Sequence, residues 1–467
     1  MKKFFFFLAL FLLLTSYFLP QDVFASSKNI FGLHLTQPSD LTPASKIINS
    51  SNGDWGWVTI VIRTNQLDRN VWQDFFDQCR TLHLIPIVRL ATIVDGSNWK
   101  KPDISDIDNL ASFLNSLNWP TTTQHLILFN EINHAAEWGG ILDPKGYADL
   151  SLYAIDKFKS LNSNFFILSS GLDLASPDLG DFMSASTIYQ QIYAYKPEYF
   201  DKIDGIASHS YPNHGFIGTP ADTGQHSIRG YIWELNYLKK LGVTKDLPIF
   251  ITETGWPHRE GIDRHNGFYT TDTTAKFLAT AFKIWGEDPR IKAVTPFIFN
   301  YPSVPFDHFS WLDSDEKMYP SYQTVIDLPK PKNTPEQTTT FEVVQNILPF
   351  LITPDTETGG RIILKNTGQS IWGETLKTTF CLNPQSTQNV TLDAICTSND
   401  KVLPGQTASF DYKLKIDSSA DKPERTIIGW IGLPEYEITP LNSSATIYSP
   451  KDNLFNFIIR YFKSLFI

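Results

Sequence analysis

Ile251-Thr252-Glu253-Thr254-Gly255-Trp256-Pro257 is the stretch on which the reading of this chain turns. An apolar run from Leu247 to Ile251 delivers an acid, and Gly and Trp-Pro follow at once. That is how a buried strand ends: β-branched and aromatic residues stop and turn-formers take over. A carboxylate there rides on a rigid element and faces the space beyond the sheet. Taken alone, Glu253 is equally well the first solvated residue after a strand. A second segment of the same kind, Leu126-Ile127-Leu128-Phe129-Asn130-Glu131-Ile132-Asn133, shifts the balance.

Outward from these two, short apolar runs alternate with amphipathic stretches. The expected strands are Ile30–Leu35, Trp57–Arg63, Leu84–Leu90, Leu126–Glu131, Phe165–Ser170, Ile203–His209, Ile249–Glu253 and Ala293–Asn300. Several are almost unbroken apolar runs, as parallel strands covered on both faces require. Helical patterns fall at Val71–His83, Ser105–Trp119 with Ser105 as N-cap, Tyr147–Leu161, Ile228–Leu241 closing on Gly242, and Thr273–Trp285. Eight strands, each followed by a helix or loop, predict an α/β fold: a (β/α)8 TIM barrel over residues 26–328. A doubly wound sheet competes, but no Gly-rich phosphate loop follows a strand.

Pro329-Lys330-Pro331-Lys332-Asn333-Thr334-Pro335 and Thr338 to Thr340 read as a stiff, solvated linker over residues 329–340. Short alternating runs without helices then predict a smaller all-β sandwich over residues 341–450. Cys381 and Cys396 fall in it and could pair; Cys79, in a helical pattern, reads as a buried thiol. Residues 451–467 form an amphipathic tail too short to span a bilayer, which either lies on a membrane surface or docks as a helix. At the other end, Lys2 and Lys3 precede an apolar run, and Val23-Phe24-Ala25 offers a cleavage site. Residues 1–25 therefore read as a signal peptide, an uncleaved anchor being the alternative, and the protein as secreted or held at the cell surface.

A net charge of −10 argues against nucleic acid as a partner. There is neither CxxC nor HExxH, so no metal and no cofactor is expected. An aromatic content of 14% exceeds what packing needs and suits a sugar-lined cleft. In a (β/α)8 barrel the active site lies where the strands end. That rule selects Arg63, Arg89, Asn130, Glu131, His209, Tyr211, Glu253 and Asn300. Two carboxylates on opposing strand ends suit glycoside hydrolysis, which needs one carboxyl to give a proton and another kept ionised.

These residues resemble the clan A retaining glycoside hydrolases. Asn130-Glu131, His209-Ser210-Tyr211 and Glu253 stand where that clan carries its motifs. Thr252-Glu253-Thr254-Gly255-Trp256-Pro257 is similar to the nucleophile segment of endo-β-1,3-glucanases, while His-x-Tyr and the strand-two Arg look more like the cellulase and mannanase family. The resemblance implies that Glu131 is the general acid/base and Glu253 the nucleophile of a two-glutamate double displacement on a β-linked polysaccharide. It further implies that Asn130 holds the sugar 2-hydroxyl, that Tyr211 donates to Glu253 with Arg63 beneath it, and that His209 lines the cleft. Trp256 is a candidate sugar platform; Trp311 is a candidate to replace the Trp that clan members carry where this chain has Asn300. Glu137, six residues past Glu131, reads as a solvated decoy. Residues 366–372, 404–406 and Trp430 resemble immunoglobulin-like accessory domains of bacterial surface enzymes. A monomer binding polysaccharide or oligosaccharide is expected. A non-catalytic carbohydrate-binding or adhesion protein and a transglycosylase remain alternatives, and sugar, linkage and endo or exo action stay open.

Overall fold

The computed structural model describes residues 28–347, 351–352, 355–373, 381–386, 390–392, 395–396, 401–416, 426–431 and 441–447. The expected signal peptide and C-terminal tail lie outside the described residues. The chain divides into two compact units, Met1–Glu336 and Gln337–Ile467.

The first unit alternates strands and helices: β1 (Gly32–His34), α1 (Leu41–Ile48), β2 (Gly56–Arg63), α2 (Arg69–Thr81) and β3 (Leu84–Ala91). A small hairpin, β4 (Val94–Asp95) and β5 (Asn98–Trp99), then precedes α3 (Ile104–Asn115), β6 (Gln124–Ile127), α4 (Pro144–Leu161) and β7 (Phe165–Leu168). Next come α5 (Ala185–Tyr195), α6 (Glu198–Lys202), β8 (Ile206–His209), α7 (Gly230–Leu241), β9 (Ile249–Glu253), α8 (Thr271–Gly286), β10 (Ile291–Val294) and α9 (Gln323–Ile326). Side-chain caps start several helices. Asp68 accepts from the backbone N–H groups of Asn70 and Val71 to open α2. Asp103, two residues before the expected Ser105, forms a capping box with Asp106 to open α3. Gly242 ends α7 at φ 114°, a conformation a Cβ would strain.

The parallel strands form two arcs, β1-β2-β3-β6-β7 and β8-β9-β10, and not one continuous ladder. At the two seams only isolated parallel bridges occur, Phe31 with Val294 at one, and Leu168 with Gly205 and Asp173 with His209 at the other. The strands beside the seams are short, three residues in β1 and four in β7, β8 and β10, so neighbours meet at isolated pairs and not along a ladder. Alternate residues divide the burial. One set packs outward against the helices, as Ile249 and Ile251 do. The other set, Trp57, Ile85, Ile127, Ala207, Phe250 and Ala293 among them, forms a separate apolar cluster between the strands.

Within residues 329–336, Lys330 and Asn333 are buried, while Pro329, Lys332, Thr334 and Glu336 are exposed. Lys330 Nζ donates to the backbone oxygens of Val325, Ile326 and Leu328 at 3.0–3.1 Å, closing the end of α9. Burial pushes its ammonium down to about 7. Asn333 donates to the backbone oxygens of Asn29 and Trp55 at 2.7 Å. The α9 carbonyls and the Asn29 backbone need partners, and this segment supplies them.

The second unit consists, among its described residues, of strands β11 (Phe341–Ile347), β12 (Leu351–Ile352), β13 (Thr358–Asn366), β14 (Cys381–Ser386), β15 (Val390–Leu392), β16 (Ile395–Cys396), β17 (Thr407–Ile416), β18 (Thr426–Ile431) and β19 (Leu441–Ile447). They form one sheet in the order β11-β13-β17-β15 and another in the order β12-β19-β18-β14-β16. The β14–β16 register sets Cys381 directly opposite Cys396, although the pairing of their thiols lies outside the described side chains. No helix among the described residues is long and apolar enough to cross a membrane.

Candidate active site

Glu253 is the last residue of β9, yet strict alternation from Phe250 and Thr252 would turn it toward the helices. A register shift between β8 and β9 prevents this: Ser208 pairs with Ile251, and His209 with Glu253. The extra residue is a bulge that re-aims the side chain. Glu131 is re-aimed differently. Phe129 and Glu131 sit at φ 69° and 27°, left-handed values that bend the chain just past β6, and the Glu131 N–H is tied to the Gly171 oxygen at 2.9 Å. The two carboxylates and His209 converge so closely that one donor atom from each lies within 4.8 Å of the others.

The environments of the two carboxylates differ. Glu253 is buried, with Arg89 Nη1 donating to Oε1 at 2.9 Å and the Tyr211 hydroxyl donating to Oε2 at 3.2 Å. Nδ1 of His34 and Nδ1 of His209 each lie 3.8 Å from one of its oxygens. Burial alone would raise its pKa, but His209, Arg89, His34 and the Tyr211 hydrogen bond together outweigh desolvation and hold it below the ordinary carboxylate value. Glu131 is more open, its side chain 19% exposed against 10% for Glu253. Its Oε1 accepts from His209 Nδ1 at 2.8 Å. Desolvation works to neutralise His209, but the charges of Glu253 and Glu131 and this hydrogen bond prevail and raise its pKa. Beyond Oε2 of Glu131, at 3.9 Å, lies Nδ1 of His134, whose Nε2 is 3.0 Å from Asp173 Oδ2.

Asn130, Glu131, His209, Tyr211 and Glu253 are therefore brought together, and four other expectations are corrected. Arg63 is exposed and lies over the Trp99 ring, 5.3 Å from its centroid; Arg89 holds Glu253 instead and also donates to Asn130 Oδ1. Both arginines have the same parity, but the register pairs Val61 with Arg89 and Arg63 with Ala91, so Arg63 stands one layer higher, at the rim. Trp256 is fully buried, its Nε1 donating to the Gly218 oxygen and its ring against Phe277, which leaves no face for a sugar. Trp311 is buried too, stacked on Tyr322 at 4.2 Å. Asn300 is turned inward, donating to Asp40 Oδ1 at 3.4 Å.

Three participants escaped the sequence reading. His34 closes β1, and burial drives its pKa down to about 4. Glu137 is no solvated decoy. The 3-10 turn Ala135–Glu137 folds it back into a cleft that Arg89, Trp99, Phe129 and Asn130 also line. Desolvation raises its pKa to about 7, Arg89 opposes, and Glu131 adds to the rise. Trp99, on the hairpin, lines that cleft together with Phe129.

Glu131, His209 and Glu253 could each offer an atom to one cation. The donor set argues for protons instead: Arg89 and Tyr211 already engage Glu253, and the His209 Nδ1 proton engages Glu131.

No family model matches the chain, and no curated protein sequence matches it. Solved structures similar to it include a glucosidase from Croceicoccus marinus, 10% identical with a TM-score of 0.49 over 84% of this chain and 97% of that one. A β-1,3-glucanosyltransferase from Rhizomucor miehei, an active-site mutant in complex with laminaritriose, is 14% identical with a TM-score of 0.41 over 63% and 97%. A β-1,4-D-mannanase from Cryptopygus antarcticus is 13% identical with a TM-score of 0.37 over 65% and 93%.

Proposed function

We propose that the first unit is a (β/α)8 barrel and a retaining glycoside hydrolase acting on a β-linked polysaccharide, a β-glucan or a related polymer. The observation that carries this reading is the approach of Glu131 and Glu253 to within 4.8 Å in two unlike environments. Retaining enzymes set their carboxyls about 5–5.5 Å apart, and inverting enzymes leave roughly 6.5–9.5 Å for a water. The two arcs of parallel strands, with isolated bridges at both seams, support the barrel. The apolar N-terminal segment supports export, and the two sheets formed by the second unit's described residues support an immunoglobulin-like accessory domain.

In the first step an ionised Glu253 oxygen bonds to the anomeric carbon while the bond to the leaving oxygen breaks. That oxygen keeps the electron pair and takes the proton from Glu131. Water then attacks the anomeric carbon, gives its proton to Glu131, and Glu253 departs as carboxylate. His209 links the steps. Its charged form is favoured chiefly by Glu253, so conversion of Glu253 to an ester removes the largest support for the imidazolium. Asn130, held by Arg89 beside Glu131, is the residue that would bind a sugar 2-hydroxyl.

The test is hydrolysis of a β-glucan and β-mannan panel by the wild type, Glu131→Gln and Glu253→Gln, with the first-formed anomer read by proton NMR. Retention with both variants disabled is expected. Activity indifferent to both substitutions, or an inverted product, would overturn the reading.

A further inference from the structure

A cavity of about 500 Å3 opens on the opposite face of the first unit, where its strands begin. Its walls include Trp57, Ile85, His125, Phe166 and Phe250, each the second residue of its strand, so they gather at that end. His125 is the hub, with the Trp57, Phe166 and Phe250 rings at centroid distances of 5.1, 5.2 and 5.4 Å. Burial drives the pKa of His125 down to about 3, and its Nδ1 is a buried polar atom with no hydrogen-bond partner. Trp57, Ile85 and Phe250 belong to the interior apolar cluster, while Glu131 and Glu253 stand at or past the other ends of their strands.

The rim has a different chemistry. Lys28, Lys292 and Lys332 line it, with Glu336 the acid among the lining residues. Lys28 and Lys332 are exposed, and Lys292 is half-buried. Desolvation lowers the pKa of Lys292, the charge of Lys28 adds to the fall, and Asp288 opposes it. These lysines stand in a chain whose net charge is −10. An aromatic floor below a cationic rim fits one kind of guest. The volume lies within the range of about 300–1,000 Å3 common to small-molecule sites.

We propose that this cavity binds a small amphiphilic carboxylate, its apolar body against Trp57, Phe166 and Phe250 and its anionic end toward Lys28, Lys292 and Lys332. The site is independent of the glycosidase reading, since none of its residues touches Glu131 or Glu253.

Calorimetric titration of the full chain with octanoate, 1-octanol and octylammonium tests it, with the His125 imidazole resonances followed by NMR. Octanoate should bind at least tenfold more tightly than either other ligand and shift the His125 signals. The double variant Lys28→Gln/Lys292→Gln should weaken octanoate at least tenfold and leave the weak binding of 1-octanol unchanged, which also reports that it folds. Lys332→Gln, at an exposed position, should weaken octanoate alone by a smaller factor. Glu253→Gln should bind octanoate as the wild type does, whether or not that variant has lost hydrolysis. Equal affinity for octanoate and 1-octanol, unchanged octanoate binding in the double variant, or no octanoate binding would each overturn the proposal.

Discussion

Arg89→Met is the perturbation the site makes most informative. The guanidinium donates to Glu253 Oε1 at 2.9 Å, and both side chains are largely buried, 13% and 10% exposed. Hydrogen bonds to a charged group contribute about 1.5–3 kcal/mol. Removing one partner of a buried pair costs about 3–5 kcal/mol, because the other charge is left uncompensated. A loss of ~2–4 kcal/mol in the transition state lowers kcat/KM roughly 30- to 1,000-fold. The direction on the pH axis follows independently. Arg89 is among the groups that depress the pKa of Glu253, so its removal must raise it. At about 1.4 kcal/mol per unit, the acid limb of the kcat/KM profile should move up by roughly one to two pH units. The same sign governs stability. A depressed carboxylate stabilises the fold above its unfolded value of 4.5, and that contribution vanishes as pH falls through the folded value. The variant should therefore lose stability at neutral pH and show a shallower decline on acidification. Arg63→Met, which removes only an exposed cation over Trp99, should leave the limb in place. The assay is kcat/KM across pH for both variants, with urea melts alongside. An unmoved acid limb in Arg89→Met, or an equal shift in Arg63→Met, would refute the assignment.

Tyr211→Phe removes the hydroxyl that donates to Glu253 at 3.2 Å and should lower kcat/KM about 10- to 100-fold with little change in melting temperature, measured by steady-state kinetics and calorimetry. Trp256→Phe loses the bond to Gly218 and some buried volume; a stability loss of about 1–3 kcal/mol with KM unchanged is expected, whereas a sugar platform would show the reverse. Gly171→Ala would place a Cβ 2.2 Å from His209 Nε2 and must displace the ring. His209 has a raised pKa, so its charge stabilises the fold below 6.5 and ceases to as pH rises through the folded value; that dependence should flatten in Gly171→Ala, read from urea melts at about pH 6 and about pH 9.

Strand ends were legible because the signal is local. Asn130, Glu131, His209, Tyr211 and Glu253 each close an apolar run, and parallel strands bring such ends together. Depth along the axis was not legible. Arg63 and Arg89 look alike in sequence, and only the pairing of Val61 with Arg89 decides which reaches the carboxylate. Tryptophans misled for a related reason: Trp256 and Trp311 follow strands as platform residues do, yet burial depends on loops folding over them. His34 closes β1, but the expected strand ran on to Leu35, which left the histidine one residue short of its end. Glu137 was discounted by its distance from the strand end, and a 3-10 turn removed that distance. The Pro-Lys-Thr composition of residues 329–336 suggests solvent, but unsatisfied carbonyls at the end of α9 recruit Lys330.

The shift of one residue between Ser208 and His209 bears on how this scaffold can be rebuilt. The aim of Glu253 is stored neither in β9 nor in β8 but in the offset between them. A chimera that imports a regular ninth strand, even one ending in the same Ile-Thr-Glu, would point its glutamate at the α8 side and yield a well-folded, inert protein. Recombination libraries should keep β8 and β9 as one inherited block, with their crossover points outside residues 206–253.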